Sequence, residues 1–503
     1  MEKRLMLAIA LSFLVAWTWS SLTPKPAPVV QPDLVVGKIP ALAQPTIKIP
    51  ELPGTKFSLD NFDIEIIEPL ATIKEIKFKK YNNDNLLLIQ GLYINDPSLN
   101  FKKLIESKNE LTFVHEDENK IIYKRFIFSN YNYSIELEIE IENLSGNDLD
   151  YALPMTLGVM DSTLEPGQTQ FHDIYLGTSE KSVHLNARKT GSFEDIKFIG
   201  LRNRYFCAVI EPASDKYAGK ISKVSASAFE ASVLSPEIRI PAKQKNTQKF
   251  LIYLGPQDLG LIKGVNPEWA GIIYYGMFDL IAQVMVQFII WINHIFHNWG
   301  VAIIILTILV QTALYPLTLK QIRSMKEMQA VQPKVEELRK VYKDNPQKMN
   351  KEIMELYREH KVNPFGGCLP MLLQMPIFIA LFQMQNRFIL LKNAPFLWIK
   401  DLSQPDKLFT IPGALPLLGK DFSLNILPLF AVAMMFFQQK FTMPKVGGEG
   451  AEQQKIMSIM FPIMMLLFFY NASAAFNLYM LVNFGFMLGQ TLVGKNYGIK
   501  KEH

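Results

Sequence analysis

The sequence predicts a multi-domain membrane protein in which a β-sandwich precedes an α-helical bundle of six transmembrane spans with a helical hairpin. The first half of the 503-residue chain is mixed and charged, whereas long apolar runs dominate the second half. Residues 135–142 alternate strictly between apolar and acidic side chains, which is typical of a strand with one buried face. From Trp299 onward, an apolar run of about 20 residues matches the thickness of a bilayer core.

Composition excludes several classes of function. The formal net charge is only +5, which does not indicate nucleic-acid binding. Cys207 and Cys368 are the only cysteines and fall in different halves of the chain, so we expect no disulfide between them. No metal-ligand spacing is present, and we therefore expect no metal and no cofactor.

Residues 1–21 are predicted to form an N-terminal transmembrane anchor. Lys3 and Arg4 precede an apolar run, a pattern that signal peptides and anchors share. Two tryptophans end the run and no cleavage site follows directly, so we favour the anchor. The two cations place the N-terminus in the cytoplasm. Residues 22–56 contain eight prolines and are predicted to form an extended linker.

Residues 57–265 are predicted to form a large β-sandwich outside the cytoplasm. Beside the alternating run, the patterns at 121–128, 205–210 and 250–254 indicate further strands. The candidates for acid–base chemistry are two pairs, His115–Glu116 and His172–Asp173. Neither pair has a nucleophile or a metal spacing nearby, so we interpret both as surface pairs and expect no enzyme activity.

Residues 266–298 are predicted to form an amphipathic helix that lies in the membrane interface. Its polar residues share one face, which suits a helix lying flat. These residues are Asp279, Gln283, Gln287, His294 and His297. If this segment spanned the bilayer instead, the basic hairpin that follows would lie outside, against the positive-inside rule.

The second span, residues 299–318, carries a polar stripe. Thr307, Gln311 and Tyr315 recur at helical spacing within an apolar run. A polar groove facing a wet cavity explains the stripe, and so does a simple hydrogen bond from Gln311 to a neighbouring helix. The segment alone leaves both interpretations open.

Residues 319–366 are predicted to form a basic cytoplasmic hairpin of two helices, broken at 344–346. The segment contains eleven basic and seven acidic residues. The basic residues include Lys320, Arg323, Lys334, Arg339, Lys340 and Arg358. Apolar residues of the first helix are expected to pack against the second. The first set is Val335, Leu338, Val341 and Tyr342, and the second is Met349, Ile353, Leu356 and Tyr357. The hairpin is either a solvated coil or a landing site for a partner or anionic lipid headgroups.

Four further spans are predicted within residues 367–495, followed by a short cytoplasmic tail at 496–503. The spans are Cys368–Leu390, Phe422–Phe437, Ile456–Tyr470 and Ala474–Val493. The middle two contain about 15 residues each and are too short for a normal bilayer core, so we expect local thinning. The distribution of lysines places both ends of a six-span chain in the cytoplasm.

Five stretches of the second half resemble the YidC-type membrane protein insertases. They are HNWGVAIIILTI from His297, LYPLTLKQ from Leu314, NPFGGCLPMLLQMPIFIALF from Asn363, APFLWIKDLS from Ala394 and QQKIMSIMFPIMM from Gln453. The resemblance covers residues 266–493 in order and spacing. YLGPQD from Tyr253 is similar to the form that carries a mutarotase-like β-sandwich in the periplasm.

The resemblance implies an inner-membrane protein, not an enzyme, that inserts and folds nascent membrane proteins. It implies a polar intramembrane groove, used alone or beside the Sec translocon, with the ribosome and the signal recognition particle system as candidate partners. The predicted groove residues are Thr307, Gln311, Tyr315, Gln374 and Asn477. Positions matching substrate-contacting residues of the family are Thr307, Met375, Phe378 and Tyr479.

One position departs from the family pattern. Gln311 stands where the family typically has an arginine. A neutral amide forms hydrogen bonds but attracts no acidic substrate tail. We therefore expect insertion to depend little on substrate negative charge, unless Lys320 or Arg323 supplies the missing cation.

Two other functions fit part of the sequence. A small-solute transporter or channel would use the same spans, but these contain almost no ionisable groups and no internal repeat. A membrane-anchored carbohydrate-processing enzyme would use the sandwich, which offers no convincing acid–base pair.

Overall fold

The computed structural model describes residues 54–82, 84–129, 131–164, 169–186, 190–214, 216–343, 345–360, 362, 369–415, 420–442 and 449–499. The predicted anchor, nearly all of the predicted linker and the end of the predicted tail lie outside these residues. The chain divides into two compact units, one made mainly of strands and one of helices.

The first unit is an antiparallel β structure in which seventeen strands form one continuous network of ladders. Two short strands, β10 and β18, pair separately. The strands are β1 (Thr55–Ser58), β2 (Phe62–Ile67), β3 (Thr72–Phe78), β4 (Asp84–Gly91), β5 (Tyr93–Ile94), β6 (Lys102–Ser107), β7 (Glu110–Glu116), β8 (Lys120–Phe128), β9 (Ser134–Asn143), β10 (Leu149–Tyr151), β11 (Pro154–Asp161), β12 (Asp173–Thr178), β13 (Ser182–Asn186), β14 (Gly191–Arg202), β15 (Phe206–Pro212), β16 (Tyr217–Lys223), β17 (Ala228–Leu234), β18 (Ile238–Ile240) and β19 (Lys245–Pro256).

The alternating run forms β9, as its pattern predicts. Its apolar residues are fully buried at 0% exposure, and they are Ile135, Leu137, Ile139 and Ile141. The strand pairs with β8 on one side and β19 on the other. On the opposite face, Glu138 forms an ion pair with Lys249 at 2.6 Å. A central strand with one dry face and one charged face is thus set by residue alternation alone.

Both predicted surface pairs are wrong. His115 is 7% exposed, and its Nδ1 lies 3.1 Å from the carbonyl oxygen of Asn100. Its Nε2 approaches Asp117 at 3.3 Å, so the carboxylate beside it is not that of Glu116. The other histidine is also buried, and its neighbour Asp173 accepts two hydrogen bonds from the guanidinium of Arg202. Of these partners, Asn100 and Arg202 come from other segments of the chain, so the local sequence pattern did not identify them.

The second unit is mainly helical. The helices are α1 (Leu259–Val265), α2 (Asp279–Phe296), α3 (Trp299–Val341), α4 (Pro346–Glu359), α5 (Leu369–Arg387), α6 (Ile426–Thr442), α7 (Glu449–Phe469) and α8 (Ala474–Ile499). Strands β20 (Phe409–Leu415) and β21 (Lys420–Leu424) form a hairpin before α6. The predicted start of that span at Phe422 is therefore wrong, because residues 420–424 are extended. Helix α8 continues through the first residues of the predicted tail.

Helix α3 joins the predicted second span to the hairpin without a break. It begins where Asn298 Oδ1 accepts a hydrogen bond from the backbone N–H of Val301 at 3.0 Å, which is an N-cap. It then runs for 43 residues and contains two prolines. The predicted break at 344–346 is confirmed, because Asn345 caps α4 and Pro346 occupies its first turn.

The hairpin core lies nearer the membrane span than the sequence predicts. Val331, Val335 and Val362 form a small buried cluster. Met328, Ile353, Leu356 and Tyr357 pack against it. Val341 was expected in this core but is 70% exposed, since it lies at the last residue of α3, beyond the contact with α4.

Three helices in the described part of the chain are long and apolar enough to cross a membrane. They are Asp279–Phe296, Trp299–Lys320 and Ala474–Val493. Two shorter apolar helices cover Ile426–Phe441 and Ser458–Phe469, which overlap the two stretches predicted as short spans. By length and composition, the helix that we placed in the interface also qualifies as a span.

Candidate functional site: a cluster of buried amides between α3 and α8

Three amide side chains meet between α3 and α8. Gln311 is 2% exposed, and its Nε2 donates to Oδ1 of Asn483, which is 5% exposed. Gln490 is 7% exposed, and its Nε2 donates to the main-chain oxygen of Gln311 at 3.3 Å. The cluster satisfies polar groups that would otherwise lie unpaired in apolar surroundings. The structure thus shows the hydrogen bond to a neighbouring helix that was one interpretation of Gln311.

The other two residues of the predicted stripe on α3 have different surroundings. Thr307 is 1% exposed, and its hydroxyl donates to the carbonyl oxygen of Ile303 at 2.7 Å. Tyr315 is partly exposed and lines a cavity between α3 and α8. The stripe therefore changes along the helix from a buried hydroxyl to a phenol at a cavity wall.

A second polar pair joins α5 to α8. Gln374 Nε2 donates to the hydroxyl oxygen of Tyr479 at 3.2 Å. Beside it, Phe378 packs edge-on against Phe476 at 5.4 Å and against Phe469 at 6.0 Å between ring centroids. The aromatic rings of α5, α7 and α8 thus hold this pair in place.

Asn477 lies in the first turn of α8, next to the connection from α7. Its Nδ2 is within hydrogen-bonding distance of the carbonyl oxygens of Phe469, Ala472 and Ser473, at 3.2, 3.3 and 3.4 Å. In this position the amide satisfies helix-end carbonyls of the tight turn. The structure does not bring it into contact with Gln311.

The four positions that were predicted to contact substrates differ in exposure. Thr307 and Tyr479 are each 1% exposed, whereas Met375 is 47% exposed. Phe378 is intermediate. Met375 therefore presents the most open surface of the four, and its flexible thioether suits contact with varied apolar side chains.

The six basic residues of the hairpin are all exposed. They are Lys320, Arg323, Lys334, Arg339, Lys340 and Arg358. Lys334 Nζ lies 2.9 Å from Nε2 of His360, which ties the two hairpin helices together at their base. The set forms a positively charged surface on a hairpin with a small apolar core.

Sequence reasoning did not include Asn483 and Gln490 among the site residues. A signal for them exists, because a spacing of seven residues places two side chains on one face of a helix. Asn477 lies six residues before Asn483, which places it on a different face of α8. Helical spacing measured from Asn483 would have separated the buried amides of α8 from Asn477.

The site is chemically neutral. It offers amides, hydroxyls and a phenol, which donate and accept hydrogen bonds but transfer no charge. Among the described residues, no group of three or more histidine, cysteine or acidic side chains is placed to hold a metal ion. The arrangement can solvate polar backbone or side chains within an apolar region, and it offers no acid–base chemistry.

Matches to known proteins cover both units. Residues 98–288 match the family described as the YidC periplasmic domain, and residues 291–501 match the 60Kd inner membrane protein family. The membrane protein insertase YidC of Pelobacter propionicus is 30% identical over 98% of this chain and 98% of its own length. That of Syntrophobacter fumaroxidans is 35% identical over 76% of this chain and 70% of its own length.

Solved structures also align with the chain. A crystal structure of an active YidC insertase covers 97% of this chain and 99% of its own, at 19% identity and a TM-score of 0.40. A galactose mutarotase-like protein from Lactobacillus casei covers 40% of this chain and 99% of its own, at 9% identity and a TM-score of 0.33.

The periplasmic β domain, the apolar helices and the sequence matches together define a non-enzymatic membrane protein insertase of the inner membrane, whose substrates are nascent membrane proteins. This chain belongs to the YidC family.

Proposed function

We propose that client segments enter the bilayer along a neutral polar route on α3, α5 and α8. The observation that carries the proposal is the cluster of Gln311, Asn483 and Gln490, which places three buried amides inside an apolar helix pair. The Gln374–Tyr479 pair extends the polar surface toward α5. Such groups lower the free-energy cost of moving a polar segment part-way across hydrocarbon.

The route works without electrostatic attraction. Gln311 is held by hydrogen bonds on two sides, and neither partner carries a charge. A carboxylate of a client tail therefore meets dipoles rather than a cation at this depth. Lys320 and Arg323 are exposed beyond the apolar part of α3 and lie outside this neutral part of the route.

Helix α2 lies in the membrane interface in this proposal, and its three faces support that orientation. One face packs against protein and consists of Ala282, Met285, Val286, Ile289 and Ile292. A second face is exposed and apolar, with Leu280, Val284, Phe288, Trp291 and Ile295. The third face is exposed and polar, with Gln283, Gln287 and His294. Adjacent apolar and polar exposed faces suit a helix that meets lipid and water along its whole length.

With α2 lying flat, the chain crosses the membrane six times and both ends lie in the cytoplasm. The spans are the N-terminal anchor, the apolar part of α3, and α5, α6, α7 and α8. This arrangement puts the basic hairpin in the cytoplasm, where it is available to anionic lipids, the ribosome and the signal recognition particle system. The protein acts alone or beside the Sec translocon.

Charge dependence tests the proposed route. Purified protein in liposomes without Sec components receives a single-span client with an acidic translocated tail, or the same client with the acids changed to amides. We expect wild type to insert both clients with yields within about a factor of 2, since a neutral site discriminates little between them. The Gln311→Arg variant should prefer the acidic client.

Each outcome has a clear meaning. Insertion of the acidic client alone by wild type would contradict the neutral route and would point to Lys320 or Arg323 as the attracting groups. The variants Lys320→Gln and Arg323→Gln, tested with the same two clients, identify the attracting group, because its removal would then remove the preference.

A further inference from the structure

A cavity of about 270 Å³ lies among α1, α2 and the one-turn helix Ile389–Leu391 that follows α5. Its wall on α2 consists of Gln283, Val286, Gln287 and Ile290. These residues recur at intervals of three and four and therefore form one stripe along the helix. The stripe is half polar and half apolar.

The cavity lies on the flank of α2. Gln283 and Gln287 belong to the exposed polar face of this helix, and Val286 belongs to the face that packs against protein. The exposed apolar face, which includes Leu280 and Phe288, adjoins the polar face. When the apolar face meets hydrocarbon, as in the proposed orientation of α2, the cavity lies beside the helix at the level of the lipid headgroups.

One carboxylate and one ammonium group line the cavity, and both belong to the segment that forms α1. Asp258 Oδ1 caps α1 by accepting hydrogen bonds from the N–H groups of Gly260, at 2.8 Å, and Leu261, at 3.2 Å. Its Oδ2 has no partner among the described residues. Lys263 is exposed, and within the described part of the chain it forms no ion pair. The lining therefore offers one group of each sign and has a formal charge of zero.

The rest of the lining is largely apolar. Phe388 is 4% exposed and Ile389 is 1% exposed, so both are held firmly in place by the surrounding protein. Ile290 is 39% exposed, which leaves part of the apolar wall open to a ligand. A molecule that covers this wall and also pairs with both charges must be an amphiphile with a zwitterionic end.

We propose that this cavity binds the headgroup of a phospholipid that carries a primary ammonium group, such as phosphatidylethanolamine. The lipid phosphate pairs with the ammonium of Lys263, and the lipid ammonium donates to Oδ2 of Asp258. The glycerol and the first carbons of the acyl chains contact Ile290. The inference rests on the proposed orientation of α2 and adds a lipid site to the surface of the insertase outside the helix bundle.

Charge complementarity selects this occupant over other phospholipids. An anionic headgroup places no cation opposite Asp258, so its phosphate meets a like charge near the one cation of the lining. A choline headgroup has no N–H group to donate to the carboxylate. Inorganic phosphate would pair with Lys263 alone and would leave the apolar wall uncovered.

The test places a photo-crosslinking residue at Ile290 of the full-length protein, in liposomes with equal amounts of phosphatidylethanolamine, phosphatidylcholine and phosphatidylglycerol. Mass spectrometry identifies the lipid in each adduct. The variants are Lys263→Gln and Asp258→Asn, and asparagine caps a helix about as well as aspartate. The matched control is Lys400→Gln, which removes an exposed lysine that does not line the cavity.

We expect phosphatidylethanolamine adducts to exceed those of each other lipid about fivefold, the effect of one partly exposed ion pair. Lys263→Gln should lower the adducts of all three lipids, because all three carry the phosphate. Asp258→Asn should remove the preference and raise the phosphatidylglycerol adducts, since the lining then has a net positive charge. A variant that merely misfolded would not exchange one lipid for another. Lys400→Gln should leave the wild-type pattern unchanged.

Other results overturn the inference. These are adducts in proportion to the bulk lipids, equal patterns in Lys263→Gln and Lys400→Gln, loss of the adducts on addition of inorganic phosphate, or a crosslink to a second copy of the chain. The experiment contains no client, so its failure leaves the insertion function standing. If the protein binds the lipid but inserts no client in the same liposomes, the proposed function fails and the lipid site stands.

Discussion

Asn483 accepts a hydrogen bond from the Gln311 side chain across the boundary between α3 and α8. Both residues are almost fully buried within apolar helices. The Gln311 amide is therefore a structural contact between two apolar helices. In the proposed route, the same residue contributes to the contact of α3 with α8 and supplies a neutral rather than a charged group.

The Gln311–Asn483 contact should stabilise the helix pair. Gln311→Leu and Asn483→Leu should each lower the free energy of unfolding, because each leaves the partner amide unpaired. The coupling energy from the double variant should be about 0.6–1.7 kcal/mol, as for interhelical hydrogen bonds in membranes. Reversible unfolding in mixed micelles measures it, and strictly additive effects would contradict the contact.

Lys124 should make the β domain less stable near neutral pH than at higher pH. Its side chain is fully buried in β8, and Nζ donates to the carbonyl oxygens of Ala71, at 2.8 Å, and Leu92. Burial lowers the pKa of Lys124 to about 7. The unfolded chain keeps the lysine proton up to about pH 10.4, so the unfolded state binds more protons between these values. Stability should therefore rise with pH, by up to about 1.4 kcal/mol per unit.

The measurement compares pH 7 with pH 9 in the full-length protein. Hydrogen exchange of the backbone amides of residues 120–128 is measured as a function of urea concentration and corrected for intrinsic exchange rates. The urea concentration at the midpoint of unfolding should be higher at pH 9. The Lys124→Met variant should show a smaller change, since it removes the titrating group. The comparison stops at pH 9 because burial raises the pKa of Tyr151 and Tyr217. At higher pH the unfolded chain loses these two protons before the folded chain does, so the tyrosines lower the free energy of unfolding. An equal pH dependence in both proteins would contradict the assignment.

Removing only one partner of the ion pair between Arg202 and Asp173 should strongly destabilise the protein. Arg202 has 0% side-chain exposure and binds the carboxylate through Nε and one terminal nitrogen. Arg202→Met leaves the carboxylate uncompensated and should cost about 3–5 kcal/mol. Arg239→Met, which breaks an ion pair with 73% exposure on the arginine, is the matched control and should cost under about 1 kcal/mol. Equal losses in the two variants would contradict this account.

Two valines of the hairpin differ in burial, one in its core and one on its surface. Val335 is 1% exposed and belongs to the cluster with Val331 and Val362, whereas Val341 is 70% exposed. Val335→Ala should lower the protection of α4 amides by about 1–2 kcal/mol, the transfer and cavity cost of two buried methyl groups. Val341→Ala makes the same chemical change and should have almost no effect. Hydrogen exchange of residues 346–359 measures both, and a larger effect at Val341 would contradict the packing.

The orientation of α2 can be determined by measuring how deep two of its exposed residues lie in the membrane. Leu280 and Ile295 lie on the same apolar face, near opposite ends of the helix. In a spanning helix they would differ in depth by about 22 Å, whereas in a flat helix they share one depth. Spin labels at each position, in a background without Cys207 and Cys368, should give equal accessibility to a lipid-soluble quencher. Unequal depths would favour a span.

Periodicity predicted those parts of the fold that depend on local spacing. The alternation in 135–142 predicts β9, and Asn345-Pro346 predicts the start of α4. Partners from distant parts of the chain were not predictable in this way. Nothing near His172–Asp173 in the sequence identifies Arg202 as the counter-ion, because their contact depends on the pairing of β12 with β14.

In the candidate site, too, features that depend on local spacing were predictable and contacts between distant residues were not. The stripe on α3 follows from helical spacing, and Gln311 was identified from it. Its partner Asn483 lies 172 residues further along the chain, so the contact depends on how α3 and α8 pack. Val341 shows the converse error, since an apolar residue with the right spacing lies past the end of the helix contact and stays exposed.

The central claim is that this protein inserts membrane proteins by itself, and protease protection tests it most directly. Purified full-length protein in sealed liposomes without Sec components receives a short single-span client made in vitro. We predict a protected fragment in clear excess over empty liposomes, with Gln311→Leu giving less than wild type. No excess, from protein that is folded and correctly oriented, would contradict autonomous insertion and leave a role that requires the Sec translocon.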